Sequence, residues 1–522
     1  MTSVRVWLRR IIGYPLVERQ RQRQNRRRNG QGRLAEGPTE RLGSLQERLN
    51  GQAHPETLAP PPSSDPAKPR PGNIHSSLHL SEAFYEALGE AAGMVDLPSR
   101  RAVLRATAEF ALAGPLLKGY ATRARAKEPT GLGVGMSPQI DSVLHAATTA
   151  EQVPGVVALA ASDHGIEYEG VFGKRQLRGP AMTRDTVFRV ASMIKPITSV
   201  AVLQLVERGK LSLDGPVPYI DPALGSPQVL TGFDATGTPR LRPAKWPITL
   251  RHLLTHTSGF TYRLWDAEAV KYFKAIEQLP SAVKDTAPRT PLMFDPGDHW
   301  QYGPGIDWVG RIVESISGES LDEYFRKNIF GPLGMKDTAF VISPEQSARE
   351  ASVHRRESDG SLNPQPIERQ TTRQRFSGGG GIYSTGPDYL TFIRMLMRGG
   401  SLDGVRILES NTVAQMGQNQ IGKIEAGVLK TTVPALSNDV DFFPGISLKW
   451  GFGHMINMQP GPDGRSAGSL TWGGLFNTYY WIDPKKRVAA VFMTQVLPFA
   501  DAGVLRLYRQ FERGIYRTLK AD

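Results

Sequence analysis

The order of apolar and polar positions separates a folding region from a long approach to it. Val153–Ala161 is almost continuously apolar and Ile166–Phe172 alternates; Asp163-His164-Gly165 stands between them, which predicts a β-hairpin. From Ser192 to Leu211 the apolar residues Ile197, Val200, Val202 and Leu205 predict a helix. Residues of about 240–370 read as mostly helical and loop-rich, and 390–398 and 408–416 as short helices. Three strands are predicted near the end, Ser469–Trp472, Thr478–Ile482 and Val488–Gln495, the last two joined by Asp483-Pro484-Lys485-Lys486. A closing helix over 502–519 carries Leu505, Tyr508, Phe511 and Ile515 at helical spacing. Strands at both ends with helices between them predict an α+β fold. Its antiparallel β-sheet would be flanked by helices, with a mostly helical second subdomain inserted over about 240–370.

Composition changes the picture for the first 126 residues. Residues 1–75 are rich in Arg, Gln, Gly and Pro, and such a segment buries too little apolar surface to offset chain entropy, so disorder is expected. Residues 1–34 carry ten arginines against one acid, Glu18, so +9 of the net +13 belongs to this tail and +4 to the rest. The basicity therefore does not argue for a nucleic-acid groove in the folded part. Val4–Val17 is apolar and basic, which fits either a frayed tail or a helix touching a membrane surface. Within 76–126, Ser99-Arg100-Arg101-Ala102-Val103-Leu104-Arg105 is similar to a twin-arginine export motif. An apolar stretch, Ala106–Leu117, and the small-residue site Ala124-Arg125-Ala126 come after it. Started at Met94, this order would be a signal peptide and the protein periplasmic or exported; otherwise it is an amphipathic helix of a cytoplasmic protein. Glu109 and the long extension before it speak for the second reading. No run of 18 apolar residues occurs, so no transmembrane helix is expected. The organisation expected is 1–75 tail, 76–126 helical segment and 127–522 catalytic domain.

Candidate chemistry lies in the last of these. Ser192-Met193-Ile194-Lys195 is an S-x-x-K motif, whose i,i+3 spacing in a helix places hydroxyl and ammonium one turn apart on one face. A serine hydroxyl becomes a useful nucleophile when a neighbour takes its proton, and a buried lysine can do so. Taken alone, the motif is equally a capping serine followed by a solvated lysine. Cysteine is absent, which excludes disulfides, thiolate catalysis and Cys-based metal sites. His252 and His256 suggest a Ser-His-Asp arrangement, but no G-x-S-x-G elbow surrounds any serine and no H-E-x-x-H spacing occurs. Both histidines are read as structural, and neither a metal nor a cofactor is expected.

Several segments in order carry a resemblance. Phe188-Arg189-Val190-Ala191-Ser192-Met193-Ile194-Lys195-Pro196-Ile197-Thr198 resembles the active-site helix of class C β-lactamases and family VIII carboxylesterases. Leu250–Gly259, Pro296-Gly297-Asp298-His299-Trp300-Gln301-Tyr302 and Gly378–Thr385 resemble further segments of the same serine β-lactamase-like, penicillin-binding superfamily, over about 145–520. The resemblance implies Ser192 as nucleophile, Lys195 and Tyr302 as acid/base partners, and an oxyanion hole from the backbone N–H groups of Ser192 and Leu475. A phenol titrates near 10 unperturbed, so Tyr302 would need a lysine beside it. Two departures bear on substrate. Pro304 stands where the family often has Asn, and Trp472-Gly473-Gly474 stands where β-lactamases have Lys-Thr-Gly, as in the family VIII esterases. The implied activity is esterase action on small apolar esters, with the Gly473 and Gly474 edge admitting substrate and Trp472 favouring apolar groups. β-Lactamase or D-amino-acid peptidase action, transesterification and an acylated sensor without turnover stay open. So does a membrane-surface protein whose basic tail is the working part.

Overall fold

The computed structural model describes residues 137–217, 221–279, 288, 290–366 and 375–519. The Arg-rich tail, the Val4–Val17 patch and the twin-arginine-like stretch lie outside the described residues.

Seven strands form one antiparallel sheet: β1 (Gly155–Ser162), β2 (Ile166–Gly173), β3 (Leu448–Trp450), β4 (Met455–Asn457), β5 (Leu470–Gly474), β6 (Thr478–Asp483) and β7 (Val488–Met493). Their order is β3-β4-β5-β6-β7-β1-β2, so the last long strand of the chain pairs with the first, Val157 opposite Met493 and Ala161 opposite Ala489. β6 and β7 are buried along their whole length because helices cover both faces. On one face, α1 (Pro138–Thr149) and the closing helix, residues 502–518, pack together. Phe511 of that helix meets Tyr168 and Trp481. On the other face lies the helix of residues 386–397, whose Tyr389 meets Tyr480. Trp481 and Tyr480 point to opposite faces, as the two-residue period of a strand requires. The fold is therefore the expected α+β arrangement of an antiparallel sheet between helices.

The helix after Ser192 starts later than its pattern predicts. Ala191–Ile194 forms a 3-10 turn, and α2 (Lys195–Glu207) begins only at Lys195. The reason is Pro196. In an α-helix running through Ser192 its missing N–H would leave the Ser192 carbonyl without a donor, and its ring would press on that carbonyl. Residues 195–205 of α2 are buried all round, so it is a core helix. It packs against α3, residues 305–317. The structure also holds short strands, in and just before the 240–370 region, that the sequence reading did not foresee. Gln228–Phe233 pairs with Pro239–Pro243, and His354–Arg356 with Leu362–Pro364. β3 and β4 were equally unforeseen, since three residues each are too few to show an alternation.

The closing helix is tied to the connection between β4 and β5 by a buried ion pair. Arg465 Nε and Nη2 donate to the two carboxylate oxygens of Glu512 at 2.8 and 2.7 Å, between the rings of Phe443, Trp481 and Tyr508. Glu512→Ala leaves the guanidinium buried without its partner, and the expected loss is about 3–5 kcal/mol of unfolding free energy. Urea denaturation measures it; a loss below about 1 kcal/mol would mean that water reaches Arg465 once Glu512 is gone.

Candidate active site

Ser192 sits half-buried on the 3-10 turn. Ala191, just before it, has φ +43°, a left-handed conformation that costs a non-glycine residue energy and that the surroundings must enforce. Two contacts do so: Met193 N–H donates to Val190 O at 2.9 Å, and Tyr389 Oη donates to Met193 O at 2.7 Å. Lys195, fully buried at the start of α2, turns back along this face. Its Nζ lies 3.2 Å from Ser192 Oγ, 2.8 Å from Gly379 O and 3.3 Å from Tyr262 Oη.

Two loops bring the phenols to this point. The loop after Leu250–Leu254 and the loop before α3 are bonded to each other: Gln301 N–H donates to His256 O at 3.0 Å, and Tyr262 N–H to Tyr302 O at 3.3 Å. Gly303 lets them touch, since a Cβ there would stand 2.0 Å from the Phe260 carbonyl oxygen. Tyr302 is buried, with its ring facing Lys195 Nζ at 4.9 Å from the centroid. Its hydroxyl accepts from Trp472 Nε1 at 3.2 Å. Trp472 is buried against Trp450, Tyr302 and Phe442. The apolar wall that the sequence suggests thus also carries a polar contact, an indole N–H aimed at the phenol.

Gly473 and Gly474 end β5 beside the turn that carries Ser192. A Cβ on Gly474 would stand 2.3 Å from Val190 O, and one on Gly473 would stand 2.7 Å from the Tyr479 ring. Leu475, the next residue, is buried. The strand end and the turn carrying Ser192 are therefore in backbone contact through Val190 and Gly474.

The sequence reading missed Tyr262, Asp307 and Ser377, and named Gly379 only within a family-like segment. Tyr262 Oη donates to Asp307 Oδ2 at 2.6 Å, Ser377 Oγ donates to Asp307 Oδ1, and Gly379 supplies both the carbonyl on Lys195 and an N–H to Ser377 Oγ at 3.1 Å. Asp307 lies in the first turn of α3, where the helix dipole favours a carboxylate. The available signal was an acid among the buried residues Ile306, Val309, Ile312 and Val313 of α3. Burial, then the Asp307 charge, pushes the Tyr262 phenol well above the ordinary range, so it stays protonated. His252 and His256 hold backbone, as expected. His252 Nδ1 accepts from Thr249 N–H at 3.2 Å and His256 Nδ1 from Gly303 N–H at 3.4 Å. Burial, and secondarily Lys195, holds His256 well below the usual imidazole range, so it is neutral. Among the described residues no cluster of three or more His, Asp or Glu stands ready for a metal ion.

A serine on a turn, a buried lysine one turn on and a phenol from a neighbouring loop, on an antiparallel sheet between helices, define a serine-hydrolase-type enzyme of the penicillin-recognising fold. The chain belongs to the beta-lactamase family, whose profile matches residues 140–514. It is 33% identical over 406 residues to ML-236A carboxylate methylbutanoyltransferase of Penicillium citrinum, covering 74% of this chain and 96% of that one. It is 32% identical over 403 residues to a lovastatin esterase of Penicillium rubens, covering 73% and 99%. Among solved structures, the unliganded simvastatin synthase of Aspergillus terreus superposes with a TM-score of 0.63 at 31% identity, over 73% of this chain and 98% of that one.

Proposed function

We propose that this enzyme transfers acyl groups through Ser192, acting as an esterase on small apolar esters. The observation that carries the reading is the buried Lys195 Nζ, 3.2 Å from the Ser192 hydroxyl. Ser192 Oγ bonds to the ester carbonyl carbon while its proton passes to Lys195. The oxyanion faces the N–H groups of Ser192 and Leu475. The bond to the leaving oxygen breaks as a proton returns to it through Lys195 and Tyr302, and water then repeats the sequence to release the acid. A transferase is the second reading, favoured by the relatives. One is named for moving a methylbutanoyl group, which is short and apolar, and another for cleaving an ester. One acyl-enzyme serves both outcomes, since they differ only in whether water or an alcohol attacks it.

Two substitutions argue against β-lactams as good substrates. Pro304 offers no amide side chain and Trp472 no charge where a substrate carboxylate would bind. Loss of one charge-assisted hydrogen bond costs roughly 1.5–3 kcal/mol, or about 10–150-fold in rate. A short-chain chromogenic ester should therefore exceed a chromogenic cephalosporin by at least about 100-fold in kcat/KM. A preference for the cephalosporin would overturn the esterase reading. In the same assay, fluorophosphonate labelling without turnover of any ester would make the protein an acylated sensor instead. Product analysis with an added alcohol separates hydrolysis from transfer.

A further inference from the structure

Among the described residues, Lys195 Nζ makes three polar contacts, and two of them are with groups that have no proton to offer it. The Gly379 carbonyl, at 2.8 Å, accepts only. The Tyr262 hydroxyl, at 3.3 Å, has one proton, and that proton is committed to Asp307 Oδ2 at 2.6 Å. To take the Ser192 proton, as the proposed function requires, the Lys195 side chain must act as an amine with two N–H bonds and one lone pair. With the two N–H bonds taken by Gly379 and Tyr262, the lone pair is left for the third contact, the Ser192 hydroxyl. We infer that Asp307 and Tyr262 are positioning residues for the base: by holding the Tyr262 proton away from Lys195, Asp307 reserves the lysine lone pair for Ser192. The inference rests on the acyl-enzyme reading of Ser192 and extends it to a pair of residues that act through Lys195.

The surroundings are arranged for this. Asp307 is buried, accepts a second hydroxyl from Ser377, and lies so close to Gly379 that a Cβ there would stand 2.2 Å from its Oδ2. The carboxylate is thus seated against the same glycine whose carbonyl holds Lys195. The Tyr262 ring is fixed edge-on by Trp265 and packs against Tyr302. Its orientation therefore survives loss of the hydroxyl, and Tyr262→Phe removes one hydrogen-bonding group and little else.

A purely structural role and a proton-directing role differ in the double variant. Asp307→Asn keeps the shape but offers one acceptor for two hydroxyl donors. The Tyr262 proton is then free to turn to the Lys195 lone pair and compete with Ser192. In the full-length protein, the first-order rate of Ser192 phosphonylation by a fluorophosphonate, with fluoride as the leaving group, is expected to fall about 100-fold in Asp307→Asn and about tenfold in Tyr262→Phe. Adding Tyr262→Phe to Asp307→Asn removes the competing hydroxyl, so the double variant should be phosphonylated faster than Asp307→Asn and at a rate close to Tyr262→Phe. A double variant as slow as Asp307→Asn, or slower, overturns the inference. Where Asp307→Asn does not fold, Tyr262→Phe alone decides. A lower first-order rate at an unchanged half-saturating concentration supports the inference, and an unchanged rate overturns it. Ser192→Ala run in parallel separates the two levels. Labelling that persists there overturns the reading of Ser192 itself. Labelling lost there but equal in wild type and Tyr262→Phe overturns the positioning role alone.

Discussion

Ser192→Ala is expected to abolish covalent labelling and to lower ester turnover by several orders of magnitude, on the order of 10^5 or more. The size follows from what is removed. The covalent path disappears, and what is left is the binding and polarisation that the site offers to a direct attack by water. The fold should not confound the result. Ser192 is half-buried, and the turn that carries it is held by the Met193–Val190 and Tyr389–Met193 bonds, neither of which uses the Ser192 side chain. Alanine also already stands at 191 in the strained conformation, so the variant adds no larger group to the turn. The measurement is labelling stoichiometry by intact mass together with kcat/KM on a short-chain ester. Near-wild-type turnover in a sample free of wild-type enzyme would end the acyl-enzyme mechanism.

Loss of Lys195 or Tyr302 should cost less than loss of Ser192 but still be large. Lys195→Met keeps most of the buried stem volume and deletes the group 3.2 Å from Ser192. Tyr302→Phe keeps the ring that faces Lys195 and deletes the hydroxyl that Trp472 holds. Each is expected to lower kcat/KM about 10^3-fold, and the double variant to be little worse than Lys195→Met alone. Groups that act on one proton are non-additive, because the second deletion removes a partner whose work has already stopped. The measurement is a double-mutant cycle on kcat/KM at constant pH. Strictly multiplied losses would assign Lys195 and Tyr302 to separate tasks. Tyr302→Phe at full activity would leave Tyr302 as packing around Lys195.

The candidate site was legible where its chemistry is local. Ser192 and Lys195 are three positions apart, and a turn of either helical type brings such residues together, so the error over where α2 begins did not separate them. Tyr302 stood out through the motif around it rather than through any periodicity. Tyr262 and Asp307 carried no such mark. Tyr262 reads as one more aromatic in an apolar loop, and Asp307 as one acid among the buried residues of α3. Trp472 was legible as an aromatic at the strand end. Its bond to Tyr302 was not, because nothing in a sequence tells which edge of an indole is occupied.

What the sequence alone determined are the features with a short-range cause. The apolar run of β1, the alternation of β2, the apolar runs of β6 and β7, the helix after Ser192 and the closeness of Ser192 to Lys195 all follow from backbone periods of a few residues. Tertiary structure decided the other contacts around Lys195 and Tyr302. Lys195 meets Tyr262 across 67 positions and Gly379 across 184, and Trp472 meets Tyr302 across 170. These contacts depend on two loops crossing at Gly303 and on a strand end abutting Val190, both of which need backbones at separations that only glycine allows. A chain records that a glycine is present; which backbone it admits is settled only when the core has packed.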